Sequence, residues 1–170
     1  MRVAALILSL MLAACGFKPL YEAGGSSAEM QAQLAGVEVG PIADRLGQIM
    51  RNRLVARLNA GTKPEYRLDV VLTQSSETFG VRPDTATTQE QLTLVADIQL
   101  IKFGAEEPVI QQSLRARSSF DVVLSDFATV SQREDTAQRL ALDLAERIHR
   151  RLALHFAQEA EQAPEAPASP

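Results

Sequence analysis

Three segments in succession alternate apolar with polar residues, and this period of two constrains the chain more than any other feature. Tyr66, Leu68, Val70 and Leu72 alternate with Arg67, Asp69 and Thr73. Leu92, Leu94, Ala96, Ile98 and Leu100 alternate with Thr93, Asp97 and Gln99. From about Val109 to Val122, Leu114, Ala116, Ser118 and Phe120 fall on one face, with Arg115, Arg117 and Asp121 on the other. Successive side chains of a strand point to opposite faces, so each segment predicts a half-buried strand. Gly104 to Pro108 is a turn short enough to make the last two neighbours. The expectation is an antiparallel meander with one face on a core. The polar stretch Ser75 to Gln91, with Phe79, Gly80, Arg82 and Pro83, reads as a loop. It reads alternatively as partly strand, carrying a long hairpin beyond the domain body.

Helical patterns flank this meander. From Asp44 to Asn59, Leu46, Ile49, Met50, Leu54 and Leu58 recur at the spacing of one helix face. Asp44 is placed to cap this helix and Gly61 to stop it. Arg45, Arg51, Arg53 and Arg57 make it basic, and the plain reading of such a run is a solvated face. Ser131-Gln132-Arg133-Glu134 has the capping-box pattern, predicting a second helix through about Ala157. Its stripe is Ala137, Leu140, Ala141, Leu144, Ile148 and Leu152. Arg147, Arg150 and Arg151 fall late in it, where cations suit the helix dipole. Val37-Glu38-Val39 is a short strand closed by Gly40-Pro41. The order is strand, helix, three strands, helix. The predicted class is α+β: a two-layer sandwich, its antiparallel or mixed sheet of about four strands covered by two amphipathic helices. The Ala/Glu/Pro-rich residues 158–170 are predicted to be disordered.

The N-terminus predicts export. Met1-Arg2 is a small positive region, Val3 to Leu12 an apolar run, and Ala13-Ala14 small residues before the single cysteine, Cys15. Residues 1–14 thus read as a signal peptide, and Leu12-Ala13-Ala14-Cys15 looks like the bacterial lipobox, cut before an acylated thiol. The competing reading, a membrane-spanning helix, needs roughly 20 apolar residues. One cysteine permits no disulfide framework, and acylation would consume it. The only bound group expected is this covalent lipid on Cys15, with no cofactor. Residues 15–35, Gly/Ser-rich at Gly24 to Ser27, read as lipidated N-terminus and flexible tether. Gly16 follows the cysteine where an Asp would favour inner-membrane retention in enteric-type lipoproteins, which leans towards the outer membrane.

Composition narrows the chemistry. Losing Arg2 with the signal peptide moves the net charge from −4 to −5, the wrong sign for a nucleic-acid binder. Tryptophan is absent, which weakens a sugar-stacking reading. His149 and His155 lie six apart, outside the three-or-four spacing of ligands on one helix face, so no metal site is expected. No Gly-x-Ser-x-Gly elbow or Gly-rich phosphate loop occurs, and Glu106-Glu107 falls in a turn. An enzyme is not expected.

Cys15-Gly16-Phe17-Lys18-Pro19-Leu20-Tyr21 resembles the mature N-terminus of the LptE family of lipopolysaccharide-assembly lipoproteins. Tyr66-Arg67-Leu68 and Ser125-Asp126-Phe127-Ala128 look family-like as well. The resemblance implies an α+β domain, here residues 36–157, held at the periplasmic face of the outer membrane by its lipid. It implies a partner, the β-barrel LptD, which the domain plugs and helps assemble, and joint delivery of lipopolysaccharide to the outer leaflet. Lipid A phosphates invite arginine, so Arg115 and Arg117, two apart on one strand face, are candidate lipid contacts, with Arg82 and Lys102 flanking the sheet. The plain alternative is ordinary solvent-facing charge near Asp97 and Asp121. Phe79 is a candidate barrel-wall contact, or an aromatic folded back onto the core. The runner-up function is an outer-membrane lipoprotein subunit of a phospholipid-trafficking complex.

Overall fold

A computed structural model describes residues 26–59, 61, 63–81, 87–122 and 125–162. Along the chain these form α1 (Ser26–Ala35), β1 (Val37–Val39), α2 (Asp44–Leu58), β2 (Tyr66–Val81), β3 (Thr87–Lys102), β4 (Pro108–Asp121) and α3 (Asp126–Gln162). The strands make one sheet in the order β1-β2-β3-β4. β1 and β2 are parallel, which requires a crossover, and α2 supplies it. β2, β3 and β4 are antiparallel neighbours, so the sheet is mixed and the class is α+β, as predicted.

Alternation decides the layers. Leu68, Val70, Leu92, Leu94, Ala96, Ile98, Leu100, Ile110 and Ala116 are buried on one face. On the other face the intervening Asp97, Gln99, Arg115 and Arg117 are exposed and Asp69 is half-buried. The helices cover only the first face. α3 gives it Leu140, Ala141, Leu144, Ile148 and Leu152 as expected, and adds Ala145 and Phe156. Phe156 is fully buried, with its ring edge-on to Tyr66 at 5.2 Å between centroids. Burying a side chain of this size contributes about 1.5–3 kcal/mol, which explains why the helix persists past Ala157.

Several boundaries differ from expectation. For Ser75–Gln91 the structure bears out the strand reading over the loop in the described part: β2 and β3 pair in register from Tyr66↔Lys102 to Val81↔Thr87, a hairpin longer than the helices cover. α3 begins at Asp126, five residues before the expected capping box, and the Ser125 hydroxyl accepts the Ala128 N–H at 3.4 Å. Ser131 is therefore inside the helix. At the other end, residues 158–162, expected in the tail, are helical. Ser26–Ala35, expected within the tether, is a further helix, α1, which packs mainly on α3 and reaches the sheet only at β1. Buried Leu34 and partly buried Met30 dock it, too few apolar positions to give a periodic signal. The lipobox, the LptE-like motif at 15–21 and the tail beyond Gln162 lie outside the described residues.

Asp44 does not cap α2. The N-cap is Ala43, which makes no side-chain bond, and Asp44 adopts φ 66°, a left-handed conformation that Asp tolerates better than most residues. Nor does Gly61 end it: Asn59 takes the left-handed cap and donates its N–H to the Val55 carbonyl at 3.1 Å. Gly61 instead donates to the Ala35 carbonyl at 2.7 Å, tying the crossover to α1.

Candidate functional site

β3 and β4 in register set Arg115 opposite Val95 and Arg117 opposite Thr93, both exposed on the uncovered face. β4 is an edge strand, and α3 runs beside it. Arg147 donates from Nη1 to the Arg115 carbonyl at 3.2 Å and pairs through Nη2 with Asp143 at 2.7 Å. Arg151 donates from Nε to Gln112 Oε1 at 2.8 Å. Arg147 and Arg151 were expected to complement the helix dipole, but α3 continues to Gln162, well beyond the last turn where that effect acts. They instead join Arg115 and Arg117 in a basic margin. The signal for this grouping is their shared helix face, which strand alternation alone does not connect to β4.

Lys102 does not belong to this margin. It pairs with Tyr66 at the opposite end of the sheet, its Nζ 5.8 Å from that ring's centroid. Nine residues of β3 separate it from Thr93, the partner of Arg117, or about 30 Å. Arg82 lies outside the described residues. Phe79 pairs with Gln89 near the far end of the hairpin and is 47% exposed, so it is not folded into the core.

A groove of about 410 Å³ lies between the start of α2 and residues 131–138 of α3, with Leu46, Ile49 and Ala137 as apolar lining and Gln74 of β2 beneath. Its rim is charge-matched: Arg45 pairs with Glu134 at 3.6 Å, and Arg133 with Glu90 at 2.6 Å. The Arg133 hydrogen bonds hold the Glu90 carboxyl below its ordinary pKa, against burial, which raises it. Farther along the helix pair, Glu146 accepts from Arg53 at 2.6 Å and Arg57 at 3.0 Å, so the arginines read as a solvated face tie α2 to α3. Burial lowers the His149 pKa, favouring its neutral form. Among the described residues no group of three or more His, Cys, Asp or Glu is placed to hold a metal, and no helix is long and apolar enough to cross a membrane.

A four-stranded sheet backed by helices on one face leaves its other face and a basic margin to solvent. Solved structures of three lipoproteins share this fold. A candidate lipoprotein from Caulobacter crescentus CB15 is 23% identical with a TM-score of 0.61, over 78% of this chain and 98% of that one. Rare lipoprotein B from Shewanella oneidensis is 15% identical with a TM-score of 0.60, over 72% and 97%. A minor lipoprotein from Acinetobacter baumannii is 20% identical with a TM-score of 0.52, over 69% and 88%. A curated relative, the uncharacterized protein RP188 of Rickettsia prowazekii (strain Madrid E), is 24% identical over 89% of this chain and 94% of its own. The profile of the LptE family, described as lipopolysaccharide-assembly, matches residues 34–152, and the chain belongs to that family.

Proposed function

We propose that this chain is an outer-membrane lipoprotein, acylated at Cys15, that plugs and helps assemble an LptD-type β-barrel and with it delivers lipopolysaccharide to the outer leaflet. Membership of the LptE family over residues 34–152 carries the reading. A plug in a wet barrel lumen needs a rigid body with a polar surface. The uncovered sheet face, with Asp97, Gln99, Gln111, Ser113 and Arg115 exposed, supports that role. Exposed Phe79 at the hairpin end suits a contact with the barrel wall. The basic margin suits lipid A phosphates, since a guanidinium can engage two oxygens at once. Three acyl chains would make the anchor effectively permanent at about 0.8 kcal/mol per buried CH₂.

The test is affinity purification of the lipidated protein from outer membranes with mass spectrometry of its partners. A stoichiometric large β-barrel is the expected result, retained when Cys15 is removed because the contacts belong to the folded domain. Recovery of phospholipid-trafficking components instead would replace this reading with the runner-up.

A further inference from the structure

We propose that the outer edge of β2, from Val70 to Thr78, receives an extended segment of the partner barrel as a fifth strand of the sheet. The proposal rests on the plug reading above. Its basis is the direction of the β2 backbone. The Leu68 carbonyl accepts the Gly40 N–H at 2.9 Å, and the Tyr66 N–H donates to the Gly36 carbonyl at 3.0 Å, both towards β1. The Glu65 carbonyl instead accepts the Phe103 N–H at 2.9 Å, towards β3. Backbone groups of successive strand residues alternate sides, so the even-numbered residues of β2 face outward. β1 pairs only as far as Leu68. Val70, Leu72, Gln74, Ser76 and Thr78 consequently present N–H and C=O groups with no backbone partner among the described residues, along about 27 Å of edge.

Proteins normally blunt such an edge with lysine, proline or a covering element. Asp69 to Val81 holds neither lysine nor proline. The opposite edge is treated differently: Arg147 occupies the Arg115 carbonyl of β4, and Arg151 binds Gln112 beside it. β4 also opens on Pro108 and carries Arg115 and Arg117, whereas Val70 to Thr78 carries Glu77 as its single charge, and an edge with so few blunting features is the condition for strand addition.

Charge and shape define the occupant. On the uncovered face, Glu77 lies in β2, and Asp97 lies opposite Val71 one strand in; neither has an ion pair among the described residues. Asp69 is already paired with Arg67 at 2.8 Å. An added strand therefore fits with Lys or Arg on this side. On the helix side the groove lined by Leu46 and Ile49 opens beside Gln74, which suits small or β-branched side chains. A second copy of this chain fits less well, because antiparallel self-pairing would bring two acidic faces together.

The experiment is residue-resolved amide hydrogen exchange on the full lipidated protein, free and in the barrel complex purified from outer membranes. The amides of Leu72, Gln74, Ser76 and Thr78 are expected to slow at least about tenfold, the order of one backbone hydrogen bond. Those of Thr73, Ser75 and Glu77, already bonded to β3, are expected to change little. Gln74→Pro removes an outward donor without touching the β3 ladder, and about tenfold weaker retention of the barrel is expected. A complex without period-two protection overturns the proposal and leaves the plug reading standing. The same protection in concentrated protein alone assigns the edge to a second copy and also overturns it. Failure to recover a barrel overturns both readings.

Discussion

Arg133 holds both carboxylate oxygens of Glu90, Nε to Oε1 at 2.9 Å and Nη2 to Oε2 at 2.6 Å, across 43 residues of chain. The pair joins α3 to β3, one residue from the Arg45–Glu134 contact that joins α3 to α2. The Glu90 side chain is only 7% exposed, so its charge stays buried if the guanidinium is lost. The projecting hairpin is thus fixed to α3 by a directional contact rather than by apolar packing alone.

This geometry makes stability pH-dependent in a defined sense. The Arg133 bonds lower the Glu90 pKa in the folded state, so the pair's contribution is complete above the unfolded carboxylate value, about 4.3, and is lost as pH falls through the folded value. Glu90→Gln should cost about 1–2 kcal/mol at pH 7 and progressively less in acid. Urea unfolding at pH 7 and pH 3 checks this. An equal cost at both would show that the ionised carboxylate is not the source.

The Glu146 cluster predicts non-additivity. Burial raises its pKa, but the bonds from Arg57 and Arg53 outweigh burial and hold it low. With either arginine gone, the other still pairs. Arg53→Ala or Arg57→Ala alone should cost about 0.5 kcal/mol, and the double substitution about 1.5 kcal/mol, more than the two together. A double-mutant cycle in urea measures the coupling, and strictly additive costs would mean that the arginines do not share Glu146.

The elements with a dense periodic signal were legible from residues alone. Leu92 to Leu100 and Leu114 to Phe120 alternate cleanly, and Ala137 to Leu152 carries an uninterrupted helical stripe. The first turns of α3 escaped because Phe127 and Val130 are exposed there and give no apolar face, while Ser131 and Glu134 imitate a helix start. α1 escaped because Leu34 and Met30 dock it alone. For the candidate site, alternation correctly put Arg115 and Arg117 on one exposed face. It could not place Lys102 at the far end of the sheet, pair Glu90 with Arg133, or bring Arg147 to β4, since each depends on contacts between distant segments.

Gly47 shows a close approach that the sequence did not flag. It is buried in α2, and a Cβ there would lie 2.7 Å from Ile42 Cγ2 and 2.9 Å from both the carbonyl carbon and the oxygen of Ile42. Two of those atoms are backbone, held in the turn that enters the helix. Gly→Ala in a helix interior normally stabilises by about 1 kcal/mol. Here overpacking should reverse the sign, with Gly47→Ala destabilising by about 1–3 kcal/mol. Thermal unfolding decides it, and a raised melting temperature would show that the α2 entry turn yields.

The separation of Lys102 from the arginines supplies an internal control for lipid recognition. Arg115 and Arg117 are solvent-exposed, so replacing both with alanine should leave the fold intact. If these two meet lipid A phosphates, the double variant should bind purified lipopolysaccharide about tenfold more weakly, the order expected for losing two partly solvated charge-assisted bonds. Lys102→Ala removes the same sign of charge about 23 Å along the sheet from Arg115 and about 30 Å from Arg117, and should change binding by no more than about twofold. Both proteins can be compared as folded soluble domains against immobilised lipopolysaccharide, at low and at physiological salt. Unchanged binding by the double variant would remove the basic margin from the lipid path. A loss confined to Lys102→Ala would move the contact to the Tyr66 end of the sheet.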